Sequence, residues 1–368
     1  TVTVDSHATV LDAARKAGVE VPTMCNMESY KPLGACRVCV VEIEGAKSLM
    51  AACATPVSDG MVVYTNSRRV RQARRTVVEL LLSEHEGNCQ YCERSLDCEL
   101  KDLAFDLGVG EPSYTGEKPP AVVDESTPAL VRDSAKCIKC RRCVTACNEV
   151  QQVGALFPQG RGYDTVIGPA FTMDLDGVAC VQCGQCAAVC PVGAIYEKHH
   201  MDRVWEALDD PDTHVVVQTA PAVRAALGEC FDYEPGTLVT GRMVSALRQL
   251  GFDAVCDTNF AADLTIMEEG NELLERLKRV LVDGEEATGA AALPQFTSCS
   301  PGWIKFCEYF YPEFLPNLST CKSPQQMFGA VAKTYYAEQK GIDPANIKVV
   351  SVMPCTAKKF EAARPEMT

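Results

Sequence analysis

Residues 137–150, CIKCRRCVTACNEV, and residues 180–195, CVQCGQCAAVCPVGAI, share one spacing, C-x2-C-x2-C-x3-C, and the chain's organisation follows from it. Three cysteines so close in sequence put three thiolates on one tight loop, where they converge on three corners of one cubane. The fourth cysteine cannot close that cubane's far corner and reaches the neighbouring cluster instead. One 4Fe-4S cluster is therefore expected on Cys137, Cys140, Cys143 and Cys190, and a second on Cys180, Cys183, Cys186 and Cys147. Eight cysteines in this doubled register fit no ordinary zinc motif. The first run ends Cys147-Asn148, where proline is usual, and the two runs form the chain's one clear internal repeat.

Upstream of the repeat lie two further groups. Cys25, Cys36, Cys39 and Cys53 are spaced C-x10-C-x2-C-x13-C, with Gly34 giving the backbone room to wrap tightly. They suit a 2Fe-2S cluster, although the short C-x4-C element of the plant-type pattern is absent, and structural zinc is the alternative. His85, Cys89, Cys92 and Cys98 offer one imidazole and three thiolates, a composition that a structural zinc site shares with an iron-sulfur cluster.

Around these groups, TVTVDSHATVLDAARKAGVEVPTMC at 1–25 reads as the end of a β-hairpin whose first strand is missing, then a short helix with Val10, Ala13, Ala14 and Ala17 on one face and Gly18 as its stop. Ser67 to about Leu107 reads as helical, with Arg68, Arg69, Arg71, Arg74 and Arg75 on a solvated face. Residues 110–128, rich in Pro, Gly and acidic side chains, read as a linker or wrapping loop.

Past residue 200 the cysteine rhythm stops. VVVQTAP, FDAVCD and KVVSVMPC are apolar β-branched runs expected to be buried parallel strands, with amphipathic helices TGRMVSALRQLG and SPQQMFGAVAKTYYAEQKG between them. TAP and MPC then fall at carboxyl ends of strands, where open α/β sheets place their ligands. Cys230, Cys256, Cys307 and Cys321 lack cluster spacing and are expected to be buried hydrophobes, while His7, His199, His200 and His214 read as surface or loop residues.

Composition bounds the rest. The 368 residues are 47% hydrophobic and 23% charged, enough for several ordinary globular domains. Twenty-one cysteines, with repeated C-x2-C runs among them, point to metal ligation in a reducing cytoplasm rather than to a disulfide framework. A formal charge of -14 argues against nucleic acid as a partner, and no signal-peptide pattern or apolar run of about 18 residues marks a membrane span.

The four cysteine groups in this order resemble both the N-terminal half of the FeFe-hydrogenases and the large iron-sulfur subunit of complex I NADH dehydrogenases. In both families the one-histidine, three-cysteine group holds a 4Fe-4S cluster. The second half separates them: TAPAVR (219–224), DTNFAADLTIMEEG (257–270), TSCSPGW (297–303), STCKSPQQMFG (319–329) and MPCTAKKFEA (353–362) resemble the FeFe-hydrogenase catalytic domain. That resemblance implies an H-cluster, a 4Fe-4S cube bridged by cysteine to a two-iron unit with CO, cyanide and a dithiolate. It implies Cys355 as a cube ligand, Cys299 as proton donor, and Glu269, Ser319 and Glu272 as the relay to solvent. Lys358 would donate to a cyanide, Ala220, Pro221, Ser323 and Gln325 would line the pocket, and Met353 would pack against the two-iron unit.

Two departures from the family pattern stand out. Its motif T-S-C-C-P-x-W has a second cube-ligating cysteine where this sequence has Ser300, and its third motif, with two cube cysteines as C-x3-C, does not occur before Thr368. Residues 1–368 alone are thus not expected to complete an H-cluster; a complete one is expected only where that third motif follows in the intact gene product.

The expected architecture is mixed α+β and α/β: a β-grasp 2Fe-2S ferredoxin domain at 1–66, a small helical domain with the His/Cys 4Fe-4S site at 67–115, a two-4Fe-4S ferredoxin domain at 116–200, and a partial hydrogenase domain at 201–368. The expected function is reversible proton reduction to H2, with electrons relayed through one 2Fe-2S and three 4Fe-4S clusters. AKKFEAARPEM most resembles subunits of NAD(P)-linked, often electron-bifurcating hydrogenases, which implies an NAD(P)H-oxidising flavoprotein, a small ferredoxin-like subunit and ferredoxin as partners. The rivals are an electron-transfer or sensory subunit with a degenerate hydrogenase domain, and a complex I type subunit, in which MPCTAKK and TSCSPGW would have no role.

Overall fold

Thr9 starts the first helix because its hydroxyl accepts from the Asp12 amide at 3.2 Å while the Asp12 carboxylate accepts from the Thr9 amide at 2.8 Å. The computed structural model describes residues 1–114, 118 and 121–367. It divides into one unit of Thr1–Cys180 with Gly184–Glu197 and another of Val181–Cys183 with Lys198–Thr368.

In the first unit, α1 (Val10–Lys16) buries Val10, Leu11 and Ala14. It covers an antiparallel sheet of β1 (Val40–Ile43), β2 (Met50–Ala51) and β3 (Val63–Tyr64), in the order β2-β1-β3. The expected hairpin before α1 does not form. Thr9 makes only an isolated bridge to Pro56, and Ala17 is exposed because the buried stripe runs through Leu11 instead.

The expected helix from Ser67 to Leu107 is two helices, α2 (Arg68–Glu84) and α3 (Glu99–Asp106). His85 leaves helical geometry at ψ 137°, and Gly87-Asn88 carry the chain into a 3-10 turn at Cys89–Tyr91. The helix stops here and a new one begins only at Glu99. Nor is the arginine face wholly solvated: Arg68, Arg69, Arg71 and Arg75 are exposed, but Arg74 is only 5% exposed.

Beyond α3, residues 115–117, 119 and 120, which hold the expected domain boundary, lie outside the described residues. The linker reading is corrected farther on, since β4 (Val123–Asp124) pairs with β5 (Leu130–Asp133). After α4 (Arg142–Thr145) come a hairpin of β6 (Phe157–Gln159) and β7 (Val166–Gly168), α5 (Gln185–Ala188), and β8 (Ile195–Glu197), which completes the sheet β4-β5-β8. Asp124 anchors this sheet: it accepts from Ser126 and the Leu175 amide and faces Arg132 at 3.6 Å, both side chains being buried.

The second unit opens with α6 (Met201–Asp209) and is built on a parallel sheet. Its strands β9 (His214–Thr219), β10 (Ala254–Asp257) and β11 (Ile347–Val352) lie in the order β10-β9-β11. Alternation along β9 sends Val215 and Val217 to one face, against Phe252, and Val216 to the other, against Ala261, Phe328 and Ile347. After β9 come α7 (Val223–Ala226) and α8 (Thr240–Gln249), after β10 the long α9 (Asn259–Leu281) and α10 (Pro301–Phe310), and then α11 (Pro324–Val331) and α12 (Ala337–Lys340) before β11 and α13 (Ala357–Ala362). The TAP and MPC turns leave the adjacent ends of β9 and β11, joined by the Ala220 amide to the Val352 carbonyl at 3.0 Å.

Of the cysteines expected to be buried, only Cys307 is; Cys230 is exposed, and Cys256 and Cys321 are half-buried. His214 is no loop residue but opens β9, with Nε2 3.0 Å from the Tyr336 hydroxyl. Among the described residues, no helix is long and apolar enough to cross a membrane.

Candidate functional site

The four thiols predicted for the first centre, Cys25, Cys36, Cys39 and Cys53, are each buried. Interaction with the neighbouring Cys36 and Cys53 thiols draws Cys25 far below the usual thiol value, while the same neighbours and burial push Cys36 and Cys53 up. The loop closes because Gly34 and Arg37 both adopt positive φ, 58° and 60°. Four buried thiols that interact with one another fit an iron-sulfur group.

At the mixed site, His85 is buried and its Nδ1 donates to the Lys136 carbonyl at 2.9 Å, which turns Nε2 toward a ligand role. Burial lowers the imidazole pKa, which favours the neutral ring that ligation requires. Cys98 is buried at the head of α3, where burial, with Cys92 and Cys89 nearby, raises its thiol. Gly193 closes the site: a Cβ there would lie 2.5 Å from Cys92 Sγ. Gly193→Ala is expected to strip iron from this site and leave the other accessory sites loaded. Iron per chain, with EPR of the reduced protein, checks it; full iron content would refute the close packing.

Cys137, Cys140, Cys143 and Cys190 line one cavity, together with Ile138 and Val192. Burial pushes Cys137 up to about 11, Cys140 to about 12 and Cys143 well above the usual thiol value, with mutual repulsion among the four adding to it. Such thiols ionise only onto a cationic group such as iron, so this apolar, four-sulfur cavity fits a cluster. The repeat is visible in the backbone: Lys139 and Arg141 of the first run, and Gln182 and Gly184 of the second, take positive φ at matching positions. The Lys139 amide donates to Cys137 Sγ at 3.4 Å and the Ala155 amide to Cys147 Sγ at 3.3 Å, bonds of the kind that tune cluster potential. Cys180 and Cys190 are buried, and Cys147, Cys183 and Cys186 half-buried.

In the second unit, Cys299 and Cys355 are exposed thiols. Ser300 is exposed at the start of α10, and its hydroxyl caps no helical amide. Lys358 Nζ donates to the Cys299 carbonyl at 2.7 Å and to Glu361 Oε2 at 2.9 Å, and Ser323 Oγ donates to the same carboxylate oxygen at 2.9 Å. Ala220, Ser323 and Gln325 are buried, Met353 is half-buried and Pro221 is exposed. Gln325 Oε1 and Glu269 Oε1 are buried without a hydrogen-bond partner, orphaned polar atoms of the sort that a bound group or water satisfies.

The predicted relay is joined only in part. Ser319 Oγ donates to Glu272 Oε2 at 2.7 Å, but among the described residues no hydrogen bond links the Glu269 side chain to Ser319 or Cys299. The Cys299 loop is tied instead through Ser298, which donates to the Cys321 carbonyl, while the Cys321 amide donates to Ser319 Oγ.

Burial alone would raise the Glu272 carboxyl; bonds from Ser319, Arg276 and the Thr320 amide hold it below the usual value. A lowered folded-state pKa adds stability that is complete above the unfolded value of about 4.5 and lost as pH falls through the folded one. Acidification below that range is expected to destabilise this unit, and Glu272→Gln to flatten the acid limb. Denaturation midpoints between neutral pH and pH of about 3 check it.

Three residues that sequence reasoning passed over matter here. Arg276 backs Glu272 at 2.6 Å, Glu361 orients Lys358, and Gln218 donates to the Gln325 carbonyl and Ser351 Oγ while accepting from Thr258. Arg276 stands four residues after Glu272 on α9, a spacing that signals an ion pair, and Glu361 stands three after Lys358 on α13. Gln218 had only its place inside an otherwise apolar strand to announce it.

The comparisons with known proteins follow the same order along the chain. Residues 1–68 match a 2Fe-2S iron-sulfur cluster binding domain, 74–113 the NADH-ubiquinone oxidoreductase-G iron-sulfur binding region, 136–194 a 4Fe-4S dicluster domain, and 213–368 the iron only hydrogenase large subunit, C-terminal domain. The chain is 52% identical to the NADP-reducing hydrogenase subunit HndD of Solidesulfovibrio fructosivorans over 100% of its own length and 63% of that protein's. It is 42% identical to iron hydrogenase 1 of Clostridium pasteurianum over 99% of its length and 62% of that protein's. The periplasmic Fe hydrogenase large subunit of Nitratidesulfovibrio vulgaris is 44% identical over 53% of this chain and 52% of that protein. The chain thus spans a little over three fifths of the length of the first two of these hydrogenases.

Proposed function

We propose a function from one premise: this chain belongs to the iron-only, or FeFe-, hydrogenase family, its 2Fe-2S and 4Fe-4S domains preceding a hydrogenase domain. It is the iron-sulfur catalytic subunit of an NADP-linked hydrogenase, working in a cytoplasmic complex with an NAD(P)H-oxidising flavoprotein, a small ferredoxin-like subunit and ferredoxin. The observation that carries this reading is the bond from Lys358 Nζ to the Cys299 carbonyl, which draws the TSCSPGW and MPCTAKK motifs onto one spot beside the strand ends.

Electrons pass along sites held by Cys25, Cys36, Cys39 and Cys53; by His85, Cys89, Cys92 and Cys98; and by the two cysteine quartets of the repeat. The H-cluster, when bound, supplies the iron centre at which two protons and two electrons combine into H2. This chain's residues contribute Cys355 and Ser300 as ligands to it, with Ala220, Pro221, Ser323, Gln325 and Met353 as its surroundings. Cys299 holds the transferable proton at Sγ. Glu269, Ser319 and Glu272 hand protons to solvent, and Arg276 keeps Glu272 ionised and in place. Lys358 is aimed by Glu361, a carboxylate only 3% exposed.

The test is reconstitution of the full-length gene product with its flavoprotein. Hydrogen-dependent reduction of NADP⁺ is expected. Turnover with an artificial dye but with no pyridine nucleotide would remove the NADP linkage, and turnover with neither would remove the hydrogenase reading.

A further inference from the structure

Arg74 is an arginine where a valine would be expected. On α2 it stands between Val70 and Val78 at i, i+4 and i+8, the stripe that this helix buries against the first sheet. Its neighbours Arg69, Arg71 and Arg75 reach the half-buried Glu42 and the carbonyls of the exposed Asn66 and Gly108. Arg74 instead puts Nη2 2.9 Å from the Val40 carbonyl, one residue after Cys39, and its buried Nε has no hydrogen-bond partner. No carboxylate pairs with it among the described residues. A guanidinium taken out of water at that cost requires a compensating charge, and the Val40 carbonyl that it holds adjoins Cys39, where a bound cluster would supply one.

We propose that Arg74 is the counter-charge of the 2Fe-2S centre held by Cys25, Cys36, Cys39 and Cys53, favouring its one-electron reduction. The inference rests on those cysteines holding such a cluster. Two ferric ions, two sulfides and four thiolates make a dianion, and reduction adds one more negative charge without a proton. A fixed cation nearby therefore stabilises the reduced form more than the oxidised one. Arg74 touches no reacting atom; it acts through the field at Cys39.

The test is an EPR-monitored redox titration of the anaerobically purified full-length holoprotein, at a temperature where the reduced 2Fe-2S signal persists and 4Fe-4S signals broaden. Arg74→Gln keeps a donor for the Val40 carbonyl but removes the charge. It is expected to lower the reduction equilibrium constant about tenfold, a midpoint about 59 mV more negative for one electron, while Arg74→Lys stays close to the parent. A parent without the 2Fe-2S signal would overturn the cluster assignment itself. A Gln variant with full signal and the parent's midpoint would overturn the role of Arg74 alone. Loss of the cluster in Gln but not in Lys supports the need for charge; loss in both would show that arginine's shape is what matters and overturn the proposal.

Discussion

Cys299→Ala is expected to lower hydrogen turnover by about 10²- to 10⁴-fold, the usual contribution of a positioned proton donor, with iron content and cluster spectra unchanged. The two halves of that expectation have separate grounds. The thiol is exposed and makes no hydrogen bond, so removing it costs no packing, and Lys358 grips this residue by its carbonyl, which alanine retains. Cys299→Ser is expected to fail almost as badly, because a hydroxyl is far too weak an acid to give up its proton near neutral pH, whereas thiols titrate near 8.5. An alanine variant within a few-fold of the parent would remove Cys299 from the proton path.

Arg276→Met is expected to destabilise the second unit by about 3–5 kcal/mol, the usual cost of leaving a buried charge without its partner. Arg276 is 4% exposed and donates to Glu272 and to the carbonyls of Ala292, Pro316 and Leu318. Methionine fills similar space but leaves the three carbonyls without this donor and the Glu272 carboxylate without its counter-charge. Both tryptophans of the chain, Trp205 and Trp303, belong to this unit, so the denaturant midpoint of their fluorescence reports it selectively. A loss below about 1 kcal/mol would mean that water replaces the guanidinium at every acceptor. Proton delivery is expected to suffer as well, since Ser319 follows the carbonyl of Leu318 that Arg276 holds.

The metal ladder is legible because ligand spacing is local. Three cysteines within seven residues dictate a loop whatever surrounds them, and the matching positive-φ positions of the two runs express that constraint in the backbone. The parallel strands are legible for a similar reason, since β-branched runs such as VVVQT bury both faces and announce themselves. Contacts between residues far apart in sequence leave no such trace. The bond that brings Lys358 to Cys299 spans 59 positions, and that from Ser323 to Glu361 spans 38.

Arg74 is the instructive miss. Among five neighbouring arginines it shares their charge but not their helical phase, and the Val70–Arg74–Val78 spacing was the signal that separated it. The break after Glu84 was missed for a different reason: the helical pattern resumes at Glu99, and only Gly87-Asn88 hint that the chain turns out between.

The most direct test of the account is the anaerobic infrared spectrum of the full-length protein, produced in a host that carries the hydrogenase maturation machinery. Sharp CO and cyanide stretches are predicted, with the cyanide bands displaced in Lys358→Met. A protein that retains its accessory-cluster iron yet shows no such bands would contradict the account and leave an electron-carrying subunit in place of a hydrogenase.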